Sequence, residues 1–385
     1  MVFRTGRRSR LPLSFLAGAA AWVAIGAVPA AAQIFPGPGE DTEPPVFEPV
    51  DPDPQPDAGI EATTGETTRS VTTRISTAIT DRVGQSLDLR PARAEAGDQQ
   101  AGAFGRRATG REGEGGFFGG ADLAAWGTGS VTFLENDGPG AEFDGEVFNP
   151  LIGIDATIDG GIVVGIALGY EGSDLDTDFN GGSLESDGFI ITPYAGARVG
   201  DFVVVDGGVG YVRVGYDRTR IAEGARVSGD FDGDRFFVFT NVAGYMPPGV
   251  LDVEGLQLIG RLGFRYSHEE QSSFTESGGT RIDGGSVGLG QVSIGAEAKY
   301  YPASPLDGDL ELFAKVIGTI DAIRSDREPI EGGPDPSDDR TDVRLGLGAV
   351  ADITDRLSVD IAYEHVFSRE DISEQSVVAG MRLRF

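Results

Sequence analysis

Read backwards from its last residue, the chain alternates. Phe385, Leu383, Met381, Ala379 and Val377 are apolar, with Arg384, Arg382, Gly380, Val378 and Ser376 between them. A period of two predicts a strand with one apolar face. The same pattern recurs upstream. In IVVGIALGY, Ile162, Val164, Ile166, Leu168 and Tyr170 share one face, and Val163, Gly165, Ala167 and Gly169 the other. In LELFAKVIGTID, the face of Leu310, Leu312 and Val316 opposes that of Glu311, Lys315 and Asp321. VRLGLGAVAD and LSVDIAYEHVF repeat the arrangement. About twelve strands are expected on this criterion. They fall near 122–134, 145–158, 161–173, 186–199, 201–216, 232–247, 254–267, 284–301, 309–323, 341–353, 355–368 and 372–385.

The face opposite the large apolar residues is small or charged. Turned inward in a soluble protein it would make a poor core of small side chains and unpaired carboxylates. Turned toward a lumen, with the apolar face on lipid, it is well placed. The links support this. EGSDLDTDFNGGSLES, DRTRIAEGARVSGDF, SHEEQSSFTESGGTRID and RSDREPIEGGPDPSDDRT are long and acidic, whereas links between them in order are as short as DG, VGD and TD. Outer-membrane barrels alternate short turns at one end with longer loops at the other. Tyr170, Tyr211, Tyr266, Tyr300, Tyr301 and Phe367 near strand ends suit an interfacial girdle. A large soluble β-sandwich or β-helix, the competing reading, does not predict that parity. The expected fold is all-β: a 12-stranded antiparallel transmembrane β-barrel over residues 121–385.

Upstream, residues 67–90 read as a helix. Val71, Ile75, Ile79, Val83 and Leu87 recur every fourth position, a narrow apolar stripe. The remainder is Thr and Ser with Arg69, Arg74 and Arg82. So many β-branched residues and so little apolar surface make a marginal helix in water. The barrel lumen is a suitable host, where the arginines could meet Asp155, Asp206, Asp360 or Glu364; a weak helix loose in a linker is the alternative. Lys315, Arg344, Arg382 and Arg384 also face the expected lumen, where all these charged groups could equally tune a pore. Residues 33–66 are Pro- and Asp-rich and are expected to be disordered, and 91–120 read as a flexible linker.

Residues 1–32 carry a basic stretch with Arg4, Arg7, Arg8 and Arg10, an apolar run, and small residues before Gln33. This is the pattern of a cleaved secretory signal peptide, with a retained anchor as the alternative. No later apolar run approaches the ~20 residues of a spanning helix, so a membrane location requires a barrel. The formal net charge of −30 argues against nucleic acid as a partner. The absence of Cys removes thiolate metal sites and thiol nucleophiles. Neither His268, read as lying in a long loop among Glu269 and Glu270, nor His365, near Ser368, is marked as part of a nucleophile–base set. Asp230, Asp232 and Asp234 read as a solvated loop rather than a Ca²⁺ site, since the later ligand of an EF-hand is missing. No catalytic residue, metal or cofactor is expected; an outer-membrane hydrolase is the remote alternative.

The local sequences also resemble a known family. LAAWGTG around Trp126, LIGIDATIDGGIVVGIALGYEGSD and FIITPYAGARVGDFVVVDGGVGYVRV are similar, in this order, to the first strands of the autotransporter translocator, the type V secretion barrel. The ending VVAGMRLRF, with Gly380, Leu383 and terminal Phe385, resembles the signal by which outer-membrane barrels are recognised for assembly. Val378 departs from it, standing where that pattern has a polar residue. The resemblance implies a Gram-negative outer-membrane location, a helix inside the barrel, outer-membrane lipid, the barrel-assembly machinery and periplasmic chaperones as partners, and export of an N-terminal segment. Residues 33–66 are no β-helical passenger, so the resemblance implies a short cargo or a passenger-less, porin-like barrel.

Overall fold

The computed structural model describes residues 58–87, 121–138, 141–247, 250, 253–302, 310–324 and 340–385. The expected signal peptide, most of the Pro-rich segment and the 91–120 linker lie outside the described residues. One helix, α1 (Ala58–Ser86), precedes fourteen strands. They are β1 (Asp122–Asn136), β2 (Phe143–Ile158), β3 (Ile162–Thr177), β4 (Gly182–Val199), β5 (Val203–Ala222), β6 (Ala225–Tyr245), β7 (Leu256–Gln271), β8 (Phe274–Thr275), β9 (Arg281–Ile282), β10 (Ser286–Tyr300), β11 (Leu310–Arg324), β12 (Thr341–Asp352), β13 (Leu357–Phe367) and β14 (Ile372–Arg384). Twelve of them close into a barrel, each antiparallel to its neighbour in sequence, with β1 pairing β14; β8 and β9 form a separate hairpin. Closure runs from Ala124↔Arg384 to Asn136↔Ile372. The Phe385 amide donates to the Leu123 carbonyl at 3.0 Å, so the last residue belongs to the seam.

The outer face is apolar. Ile294 is 68% and Leu347 62% exposed, and Leu262, Leu312, Ile361, Met381 and Leu383 join them. On β5 the outward residues Val203, Val205, Val209 and Tyr211 are followed by Arg213 and Asp217. That apolar stretch has the length, about 9–11 residues, that a tilted strand needs to cross a bilayer. Its upper edge carries aromatic pairs: Tyr170 with Phe189 at 5.9 Å and Tyr211 with Phe236 at 4.9 Å. Among the described residues no helix is long and apolar enough to cross a membrane.

At the end holding Asp122 and Phe385 the links after β2, β4 and β12 are short. At Asp159–Gly160 both residues have positive φ (49° and 63°), the left-handed conformation that tight hairpin turns use, within a three-residue link, since Ile158 pairs with Ile162. The far end differs from expectation. Stretches read as long links are strand: β5 runs to Ala222 and β6 starts at Ala225, joined by Glu223–Gly224 with φ of 49° and 80°. Asp230, Asp232 and Asp234 therefore lie on β6, and His268 lies on β7 rather than in a loop. These extensions stand beyond the lipid, where both faces are polar, and hydrophobic alternation cannot reveal them.

The β7–β10 link folds back over this extension. Ser272 and Ser277 donate backbone hydrogen bonds to Asp232 and Ser228, covering the free edge of β6. Phe274 stacks on Phe231, which stacks on Tyr216 (4.9 and 4.7 Å). Arg220 holds Glu276 with two hydrogen bonds of 2.7 and 2.6 Å. The hydrogen bonds from Arg220, with its charge, hold the Glu276 carboxyl below the usual carboxylate range. The contact is therefore in force at neutral pH and lost as pH falls through that lowered value.

Lipid contact predicts a depth-dependent cost. Ile294→Arg should destabilise the folded barrel by about 2–4 kcal/mol in urea unfolding from lipid vesicles. Asp232→Arg, on the polar extension, should change it by no more than about 0.5 kcal/mol.

Candidate functional site: the helix in the barrel lumen

Helix α1 lies inside the barrel. At ~1.5 Å per residue, its 29 residues extend about 43 Å, longer than a bilayer's hydrocarbon. It begins at Ala58, not near 67, and ends at Ser86 rather than 90. Tertiary contact overrides weak propensity at the start: Thr63 and Thr64 are buried, and Glu66 pairs with Arg369 at 2.6 Å. At the end, Arg382 donates to the Gln85 carbonyl at 3.0 Å and Arg198 donates to the Leu87 carbonyl. These guanidinium groups satisfy carbonyls that a helix end leaves unpaired.

The lumen has two walls. From β2 to β6 the inner face carries Leu151, Val163, Ala167, Tyr194, Val204, Val212, Phe237 and Phe239, all buried in one cluster with Val71, Ile75, Ile79, Val83 and Leu87. Sequence reading expected a small and charged lumen throughout; this half is a hydrophobic core. At Gly196 helix and wall approach closely, since a Cβ there would stand 2.3 Å from Val83 Cγ1. Complete burial of each stripe residue contributes roughly 1.5–3 kcal/mol.

Polar contacts fix the helix's rotation and height. Arg82 donates to both oxygens of Asp155 (2.7 and 2.5 Å). Asp155 also accepts from Tyr194 at 2.9 Å, and Tyr194 accepts from Trp126 at 2.8 Å. Thr80 donates to Asp206 at 2.8 Å, and Asn241 donates to the same carboxylate at 3.0 Å. Higher up, Arg74 pairs with Glu364 and, at 2.9 Å, with Glu374. Arg69 bridges Asp321 (2.7 Å) and Asp342 (2.5 Å). Near the same level, Thr68 donates to Glu269, which with Glu171 encloses the fully buried Arg235 (2.7 and 2.8 Å). Desolvation takes back most of what such pairs gain, but removing one partner costs about 3–5 kcal/mol. The stripe stabilises the seat, and the ion pairs set its register.

Two cavities, of about 100 and 60 Å³, lie between the helix and the charged wall formed by β7 and β10 to β14, the larger reaching Trp126 of β1 and Leu151 of β2 and the smaller Ala243 of β6. Arg261, Lys315, Thr77 and Asp81 border both.

The Autotransporter beta-domain family model matches residues 125–364. The chain belongs to this family. Similar solved structures include the translocator domain of the autotransporter NalP from Neisseria meningitidis, 18% identical over 69% of this chain and 89% of that one, TM-score 0.58. The beta domain of the Bordetella autotransporter BrkA is 16% identical over 68% and 98%, TM-score 0.57. The transport unit of AIDA-I from Escherichia coli is 13% identical over 69% and 90%, TM-score 0.51. No curated protein matches the sequence.

Outer-membrane barrels extend further on the outside than on the periplasmic side, so the long polar extensions of β5 and β6 mark the exterior and the end holding Asp122 and Phe385 the periplasm. Leu87 then lies toward the periplasm and Ala58 toward the exterior. Of the lumen residues considered in the sequence, the structure brings Asp155, Asp206, Glu364 and Arg382 to the helix, and Lys315 to within 3.7 Å of Asp81. Asp321, Asp342, Glu374, Glu66 and Arg369 were missed; strand parity alone places the inward ones, but not their height. His365 packs edge-on against Phe367, with centroids 4.1 Å apart, and His268 faces Glu270 at 3.7 Å. Gly380, Leu383 and Phe385 lie at the end of β14 against β1 and β13.

The close approach at Gly196 supplies a test in a chain without native Cys. Val83→Cys combined with Gly196→Cys should form a disulfide on mild oxidation, seen as a shift on a denaturing gel that reductant reverses. Either single variant should not shift.

Proposed function

We propose that this outer-membrane β-domain carries residues 33–57 to the cell exterior and holds them there through α1. The observation that supports this is the polarity of the helix: its start lies at the end of the long β5 and β6 extensions, and Arg382 and Arg198 hold its end near the barrel's own termini. A segment preceding Ala58 would be delivered outward. Residues 33–57 contain Glu40, Asp41, Glu43, Glu48, Asp51, Asp53 and Asp57 and no Lys or Arg. They carry no charge that the lumen carboxylates would retain. In this reading residues 1–32 are removed on export, periplasmic chaperones escort the chain, and the barrel-assembly machinery recognises β14 through Gly380, Leu383 and Phe385. The role is anchoring and transport. A freely conducting porin fits the geometry less well, because the helix and the apolar wall occupy half the lumen.

An epitope inserted between Pro52 and Asp53 should be accessible to antibody and protease on intact cells. Accessibility only after permeabilisation would refute export. Phe385 is 70% exposed on the lipid side. Its deletion, or Phe385→Asp, should sharply reduce the amount of heat-modifiable folded barrel. Unchanged levels would remove the assembly role.

A further inference from the structure

The smaller lumen cavity is lined by four cations, Arg261, Arg265, Lys315 and Arg344, and one carboxylate, Asp81. Three of the cations are matched. Arg261 pairs with Glu297 and with Asp81 at 3.2 Å. Lys315 pairs with Glu364 at 2.6 Å and more distantly with Asp81 at 3.7 Å. Arg344 pairs with Glu374 at 2.8 Å. Arg265 differs. Among the described residues its guanidinium has one partner, the neutral Gln291, whose Oε1 accepts from Nε at 2.6 Å. The amide of Gln291 is itself committed to Asp321 at 2.7 Å. On this wall Asp321 and Asp342 pair with Arg69, Glu364 with Arg74 and Lys315, and Glu374 with Arg74 and Arg344; none of them hydrogen-bonds the terminal nitrogens of Arg265, although one oxygen of Asp342 also has no partner among the described residues.

A partly buried guanidinium is stabilised by a countercharge or by full hydration. The cavity has room for the first. One water needs roughly 10–15 Å³ of comparable space, and about 60 Å³ is present. Hydroxyls of Thr77 on the helix and of Ser293 and Thr319 on the wall also line it. A ring of cations and hydroxyl donors with a single acidic group fits a small anion. The geometry points to a binding site for a monovalent inorganic anion, of the halide class, held by Arg265 and bridging α1 to the β7, β10 and β11 wall. It stands on the lumen geometry alone, whatever the helix exports. An anion there would be a removable part of the helix seat, on the side where apolar packing is missing.

The test uses purified full-length protein in detergent micelles. Sodium gluconate, whose anion is too large for the cavity, is replaced by sodium chloride or bromide at constant ionic strength, and the midpoint of heat-modifiable unfolding is read. The site predicts a saturable rise in the midpoint with either halide, lost in Arg265→Gln. The rise should persist in Arg213→Gln, which alters an exposed arginine outside the barrel. Crystals of the unaltered protein grown in bromide should show an anomalous peak beside the terminal nitrogens of Arg265, which decides the matter even if Arg265→Gln fails to fold. A midpoint indifferent to the halide, a full halide effect in Arg265→Gln, or a bromide-free cavity would each overturn the assignment.

Discussion

The structure depends on one fit: a helix with a single narrow apolar stripe against a barrel with apolar side chains on only half its inner wall. Neither part is satisfactory alone. The helix has too little apolar surface and too many β-branched residues to persist in water. The wall formed by Val163, Val204, Val212, Phe237 and Phe239 would face water in an empty pore. Joined, they bury both surfaces, and the protein has a hydrophobic core within a barrel whose outside is also apolar. The helix is as much a part of the folded domain as any strand.

The opposite half of the lumen obeys different physics. There the helix meets carboxylates and cations across cavities, and contact is made through Arg69 and Arg74. Charged groups need specific geometry and lose much of their attraction to desolvation, so this side locates the helix more than it stabilises it. Sealing is tight on the apolar side and loose on the charged side. A chain segment that had to move through such a lumen would meet less steric resistance along the charged wall.

Much of this was legible in the sequence. Period-two alternation located the lipid-crossing part of each barrel strand, because outward apolar and inward small or charged residues contrast most there. The stripe from Val71 to Leu87 identified the helix. What escaped notice did so for definite reasons. On β5, Val203, Val204 and Val205 are apolar on both faces, so the inner wall gave no contrast. Beyond Tyr211, Arg213, Asp217 and Arg218 are charged on both faces, and strand read as loop. The start of α1 is fixed by Glu66 with Arg369, residues 303 positions apart, a contact no local pattern announces. Of the partners of Arg69 and Arg74, Glu364 was among the expected lumen carboxylates, whereas Asp321, Asp342 and Glu374 required the heights of β11, β12 and β14 relative to the helix.

Hydrogen exchange of the intact domain in membranes, resolved by peptide, tests the central claim most directly. If the helix completes the core, amides from Val71 to Val83 should be protected to the same degree as those in the lipid-crossing parts of β3 to β6, opening only with the barrel. Exchange of these amides on the timescale of a free helix, while the strands remain protected, would contradict the account.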